Sequence, residues 1–121
     1  MPRFVCSMTY DLSSDTSEDA RGLLRAELVA RRWNDRLKER ALPRAAVWML
    51  KSSEETTDKI HDQCTRDLRA AAMAVRATGR SITVLRAWIH VSGGGTYGLA
   101  GEDAFKDSPP ADQGAATGES Q

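Results

Sequence analysis

Phe4-Val5-Cys6-Ser7-Met8-Thr9-Tyr10 is the stretch on which the fold turns. Its β-branched and aromatic content reads as a central strand. Asp11 follows and ends the strand where a helix-starting loop begins. A carboxylate there can hold a divalent metal or orient water, because the scaffold fixes it while the loop leaves room for substrate. It can equally accept amides of the following turn.

Working outward, Ser13, Ser14, Asp15, Thr16 and Ser17 form a polar loop. Ser17 is placed to cap a helix whose first turn holds Glu18 and Asp19. That helix is predicted to continue to about Trp33, with Ala20, Leu23, Leu24 and Leu28 as its apolar stripe and Arg21, Arg25 and Arg32 largely off it. Residues 36–40 read as a helix end or a short polar edge strand, broken at Pro43. Residues 45–51 read as a second strand. Ser53, Glu54, Glu55 and Thr56 mark the start of a second helix, which places Ile60, Cys64, Leu68, Ala71, Ala72 and Val75 on one face and ends at Thr78-Gly79. Residues 81–91 are the last long strand. Leu85, Ala87, Ile89 and Val91 share one side of it, and Val84, Arg86, Trp88 and His90 the other.

The order β-α-β(β)-α-β predicts an α+β, ferredoxin-like βαββαβ two-layer sandwich. Two helices can cover one sheet face only. The other would carry Trp48, Trp88 and His90, and an open aromatic face of this kind predicts a homodimer interface. Ser92-Gly93-Gly94-Gly95 is a turn, and Thr96-Tyr97-Gly98-Leu99 can add one more short strand, for example across a dimer edge.

The chain has 121 residues, the size of one domain. Residues 1–100 hold sixteen Lys/Arg against twelve Asp/Glu, a net of +4. Residues 101–121 set Lys106 against Glu102, Asp103, Asp107, Asp112 and Glu119, a net of −4. The composition therefore predicts a mildly basic domain over 1–100 and a disordered acidic Pro/Gly tail over 101–121. The tail can solvate the chain, shield a basic surface or bind a basic protein partner. Cys6 and Cys64 are expected to be free and buried. No signal peptide or membrane-length apolar run is seen, which points to a cytoplasmic protein with no membrane partner.

The basic stretch runs through Arg31, Arg32, Arg36, Lys38, Arg40 and Arg44, opposed by Asp35 and Glu39. Arginine forks match phosphate geometry, so this stretch can track RNA or DNA, with Trp33 stacking on a base. The alternative is a solvated face with Trp33 packed into the core. His61 reads as a surface histidine and His90 as an interface one. No Cys or His pair has metal-ligand spacing.

Met8-Thr9-Tyr10-Asp11-Leu12, then a helix, then Leu42-Pro43-Arg44-Ala45-Ala46-Val47-Trp48, then Ser52-Ser53-Glu54 and a second helix, resembles a known group. These are small ferredoxin-like proteins related to the CRISPR-associated adaptation nuclease subunit, to GhoS-type antitoxin endoribonucleases and to VapD-like ribonucleases. The resemblance implies that Asp11 takes the place of the aspartate proposed to hold Mg²⁺ or Mn²⁺ at a dimer axis. It also implies a dimer that cleaves nucleic acid, scaffolds it or binds protein. The expected function is a nucleic-acid-binding dimer acting as a metal-dependent endoribonuclease of toxin-antitoxin or CRISPR-adaptation type. The alternative is a non-enzymatic protein-interaction or scaffolding homodimer.

Overall fold

The computed structural model describes residues 2–93. Strand β1 spans Arg3–Leu12 and helix α1 Glu18–Ala30. Two short strands follow, β2 at Arg36–Leu37 and β3 at Arg40–Ala41. The chain then forms strand β4 at Ala46–Ser52, helix α2 at Thr57–Ala77 and strand β5 at Val84–Ser92. The main sheet has the order β4-β1-β5, and β1 pairs antiparallel with both neighbours. β4 and β5 are therefore parallel to each other with β1 between them, joined through α2 as a split βαβ unit. The result is a small α+β sandwich consistent with a ferredoxin-like topology.

The alternation along β1 builds the core. Cys6, Met8, Tyr10 and Leu12 are buried, and they meet Ala20, Leu24 and Leu28 of α1 and Ile60, Cys64, Leu68, Ala71, Ala72 and Val75 of α2. The α2 face expected from periodicity is buried in full. Both cysteines are free and buried.

Several boundaries differ from expectation, each for a local reason. β1 runs to Leu12, because Leu12 is buried and pairs with Val84, so Asp11 lies inside the strand and does not end it. α2 is capped by Thr56, whose hydroxyl accepts from the Lys59 amide, while Ser53 accepts from Glu55 one turn earlier. β5 begins at Val84, and Ile82 is buried in the loop before it. The pairing of β1 with β5 shifts register between Asp11 and Leu12. That irregularity reverses the expected faces at the start of β5. Val84 packs against the core, and Leu85 is 52% exposed. Beyond it, Ala87, Ile89 and Val91 lie opposite Tyr10, Met8 and Cys6 on the helix side, as predicted.

Helix α1 stops at Ala30, three residues short of Trp33, with Arg31 as its cap. The Arg32 amide donates to the Val29 carbonyl and the Trp33 amide to the Leu28 carbonyl, the two bonds of a Schellman ending. Arg32 takes the left-handed conformation, φ 77°, at the position where glycine is usual. Burying Trp33 beside Leu28 offsets that strain.

The next segment resolves the ambiguity of residues 36–44. β2 and β3 form a hairpin, with Arg36 opposite Ala41 and Leu37 opposite Arg40. Lys38 and Glu39 both have positive φ, at 51° and 69°. A two-residue turn with both central residues left-handed is type I′, normally announced by Asn-Gly. The hairpin is separate from the main sheet apart from one antiparallel bridge, Asn34 to Trp48, at the edge of β4. The predicted tail over 101–121, the strand at 96–99 and the domain boundary at residue 100 lie outside the described residues.

Arg32→Gly is expected to raise stability by up to about 1 kcal/mol, because a left-handed conformation costs a non-glycine residue roughly 1–2 kcal/mol and added chain entropy takes back part of that. Arg32→Val should lower it. Urea unfolding of the two variants beside the parent measures both signs.

Candidate nucleic-acid interface

The sheet face away from the helices is assembled from all three long strands. Arg3, Val5, Ser7, Thr9 and Asp11 are the residues of β1 that point away from its buried set. Cross-strand rows follow from the register: Ala46, Thr9 and Trp88; Trp48, Ser7 and His90; Leu50, Val5 and Ser92. Trp88 is 69% exposed and sits between Arg86 and His90 on the same strand face. Its cross-strand neighbour Thr9 is small, so nothing bulky in its row competes for the ring's upper surface. Trp48 is half-buried, and its indole donates to the Arg36 carbonyl at 2.8 Å. That bond holds the β2–β3 hairpin at the edge of the open face. Exposed Arg36, Lys38 and Arg40 are thus carried beside Trp48.

The hairpin is fixed from the other side by Arg25, which is only 19% exposed. Its guanidinium donates to the Asp35 carboxylate at 3.2 Å and to the Asp35, Pro43 and Leu42 carbonyls at 3.1, 3.1 and 3.3 Å, with a further bond to the Arg44 carbonyl. One planar fork therefore gathers both ends of the segment from Asp35 to Arg44. Nothing in the sequence pattern distinguishes Arg25 from its neighbours Arg21 and Arg32, and its role was not expected.

The predicted basic cluster divides. Arg31 pairs with Glu27 at 2.6 Å along α1, and Arg44 reaches Glu18. Trp33 is 1% exposed and donates from its indole nitrogen to Asp67 at 2.9 Å, tying the end of α1 to α2. The base-stacking role expected of Trp33 is corrected by that burial, since its ring is a core element. Arg32 is exposed at the helix end. Arg36, Lys38 and Arg40 are carried on the exposed hairpin at the β4 edge of the sheet.

Asp11 also lies on the open face. It stands directly opposite Arg86, and the two side chains pair at 3.1 Å while both stay more than half exposed. Among the described residues no group of three or more His, Cys, Asp or Glu side chains could hold a metal ion. The donor set that one copy offers at Asp11 is one carboxylate already facing a guanidinium, which does not fit Mg²⁺ or Mn²⁺.

Three titrating groups in the core are shifted. Burial raises the Tyr10 hydroxyl above its ordinary range, and Arg25 and Arg21 pull it back in part. The neighbouring Cys64 thiol holds Cys6 below its ordinary value, and the Cys6 thiol together with burial pushes Cys64 up. No helix among the described residues is long and apolar enough to cross a membrane.

No protein-family model, no curated protein and no solved structure matches this chain.

Two outcomes follow from this geometry. Arg25→Met should destabilise the fold by about 2 kcal/mol, because charged hydrogen bonds contribute roughly 1.5–3 kcal/mol each and are not additive. Limited proteolysis should then cut first within residues 36–42. Tyr10 supplies a pH signature. A hydroxyl whose folded pKa lies above its unfolded value binds its proton more tightly in the native state, so stability is intact below the ordinary tyrosine pKa of about 10 and falls as pH rises above it. Tyr10→Phe should flatten that part of the alkaline decline in denaturant midpoints measured above pH 10.

Proposed function

We propose that this protein binds single-stranded nucleic acid across the uncovered face of its sheet. The observation that carries the reading is Trp88, 69% exposed on an antiparallel sheet face and flanked on its own strand by Arg86 and His90. An aromatic ring standing on a sheet can stack with any base, and nearby guanidinium groups meet the phosphates. Arg36, Lys38 and Arg40 on the hairpin extend the basic surface past Trp48. The net charge of +4 over residues 1–100 favours a polyanion.

Cleavage is a further step of the same reading. It would need Asp11 to leave Arg86 and meet the Asp11 of a second copy, so that two carboxylates share a Mg²⁺ or Mn²⁺ ion. Equal turnover of labelled RNA by the parent and by Asp11→Ala, with Mn²⁺ and with chelator, would remove Asp11 from any such chemistry.

A second reading, a protein-interaction or scaffolding homodimer, is favoured by Leu50 and Leu85, which are exposed as Trp88 is. An apolar sheet face can close on its own copy, in which case Trp88 is a buried anchor.

The readings are separated by Trp88→Ala. On a stacking platform the variant should lose about 1–3 kcal/mol of affinity for a short single strand, the usual value of one base–aromatic contact. Sedimentation across a dilution series should then be unchanged. Replacing Arg36, Lys38 and Arg40 together with alanine should reduce the slope of log affinity against log salt by about 2, near 0.7 per phosphate contact on a single strand. Unchanged affinity with a shift from dimer to monomer would select the homodimer.

A further inference from the structure

Beside the C-terminal end of β1 lies a cavity of about 90 Å³. Leu12 and Ala45 give it an apolar wall, and Tyr10, Arg21 and Arg44 supply its polar groups. These three come from β1, from α1 and from the segment before β4. Each is held in place. Tyr10 is 8% exposed and belongs to the core. Arg21 donates from Nε to the Thr16 carbonyl at 3.3 Å and from Nη2 to the Ser13 carbonyl at 3.2 Å. Arg25 bonds to the Pro43 and Arg44 carbonyls, which fixes the backbone from which Arg44 extends.

Donor capacity is left over at this place. Among the described residues the Tyr10 hydroxyl makes no hydrogen bond, and neither does Nη1 of Arg21. A hydroxyl this buried normally has a partner, so one without it marks a place where a ligand can supply the acceptor. The surrounding charge favours an anion. Asp35 answers Arg25 and Glu18 answers Arg44, but Arg21 makes no ion pair among the described residues. The charges of Arg25 and Arg21 reach the Tyr10 hydroxyl, where they oppose the effect of burial.

We infer that this cavity binds one phosphate group, either as the free ion or as the monoester end of a larger molecule. Size selects a ligand of this kind. One water takes about 30 Å³ of the liquid, so the cavity has room for about three, whereas sites that enclose whole small molecules run to roughly 300–1,000 Å³. Shape selects it too. A phosphate monoester presents three acceptor oxygens, one for each of the three donors, and guanidinium forks match its geometry. A planar carboxylate presents two. Arg44 and Glu18 are both largely exposed, so their pairing is a weak hold that a phosphate can displace. The rest of a monoester would leave past Arg44. Tyr10 lies on the helix side of β1 and Trp88 on the open face, so this site is separate from the proposed single-strand surface and does not depend on it.

Titration of the isotope-labelled full chain with inorganic phosphate at fixed ionic strength tests the inference, followed by nuclear magnetic resonance. The amides of Leu12, Arg21 and Ala45 should shift together and saturate. Tyr10→Phe keeps the ring in the core and should weaken binding about fivefold, the effect of one neutral hydrogen bond. Arg21→Gln should weaken it about tenfold or more, because a charged bond is lost. Arg21 also ties down the loop before α1, so Arg44→Gln, an exposed change, serves as the second charge variant and should weaken binding severalfold. Arg66→Gln removes an exposed guanidinium that does not line the cavity and should change nothing. A nucleoside 5′-monophosphate that binds more tightly than inorganic phosphate would assign the site to a monoester end, and equal affinity would assign it to the free ion. The inference is overturned if phosphate gives no saturable shift, if the shifts centre on Trp88 and His90, or if Arg66→Gln weakens binding as much as Arg21→Gln. It is also overturned if the nucleoside without its phosphate moves the same amides.

Discussion

Strand β1 is hydrogen-bonded along both edges, so every long strand in the sheet takes its register from it. Its strict two-residue alternation is the constraint on which the molecule depends. Cys6, Met8, Tyr10 and Leu12 must enter the helix layer, and this fixes Val47 and Met49 of β4 and Ile89 and Val91 of β5 on the same side. A slip of one residue would expose that set to water. The same constraint sends Ser7, Thr9 and Asp11 outward and lines them up with His90, Trp88 and Arg86. Core and candidate surface are two consequences of one pattern.

The hairpin depends on different physics. It has little apolar surface of its own, and two of its residues hold left-handed conformations. A two-stranded ribbon of this kind is marginal by itself. Arg25 supplies what the ribbon lacks by bonding to carbonyls at both of its ends, while the Trp48 indole anchors its middle. Three residues of the predicted basic stretch, Arg36, Lys38 and Arg40, are held at the β4 edge through this arrangement. Arg31 and Arg44 face α1 instead, where Glu27 and Glu18 take up their charge.

The outcome at Asp11 shows how one register step alters chemistry. As the last residue of a strand it would look into a loop, where a carboxylate is free to meet substrate or metal. As the penultimate residue of a longer strand it meets the residue opposite, and that residue is Arg86. A surface pair of this kind contributes at most about 1 kcal/mol, so the pairing is a weak hold on either partner. Among the described residues, no group of three or more His, Cys, Asp or Glu side chains places Asp11 at a metal site.

The sequence alone determined the element order, the α2 core face, the burial of both cysteines and the presence of an open face with Trp48, Trp88 and His90. Each of these is a short-range periodicity or a count of faces against helices, and both are legible without coordinates. Tertiary structure decided the rest. The turn at Lys38-Glu39 adopts a conformation that those residues disfavour in isolation, so no local signal announces it. Trp33 is core because Leu28 and Asp67 are waiting for it, one through the end of α1 and one across from α2. Val84 and Leu85 exchange faces because the register shifts at Leu12, on another strand. Arg25 matters because five acceptors from residues 35–44 converge on it. In each case the deciding partner is distant in the chain, and a pattern read along one segment holds no record of it.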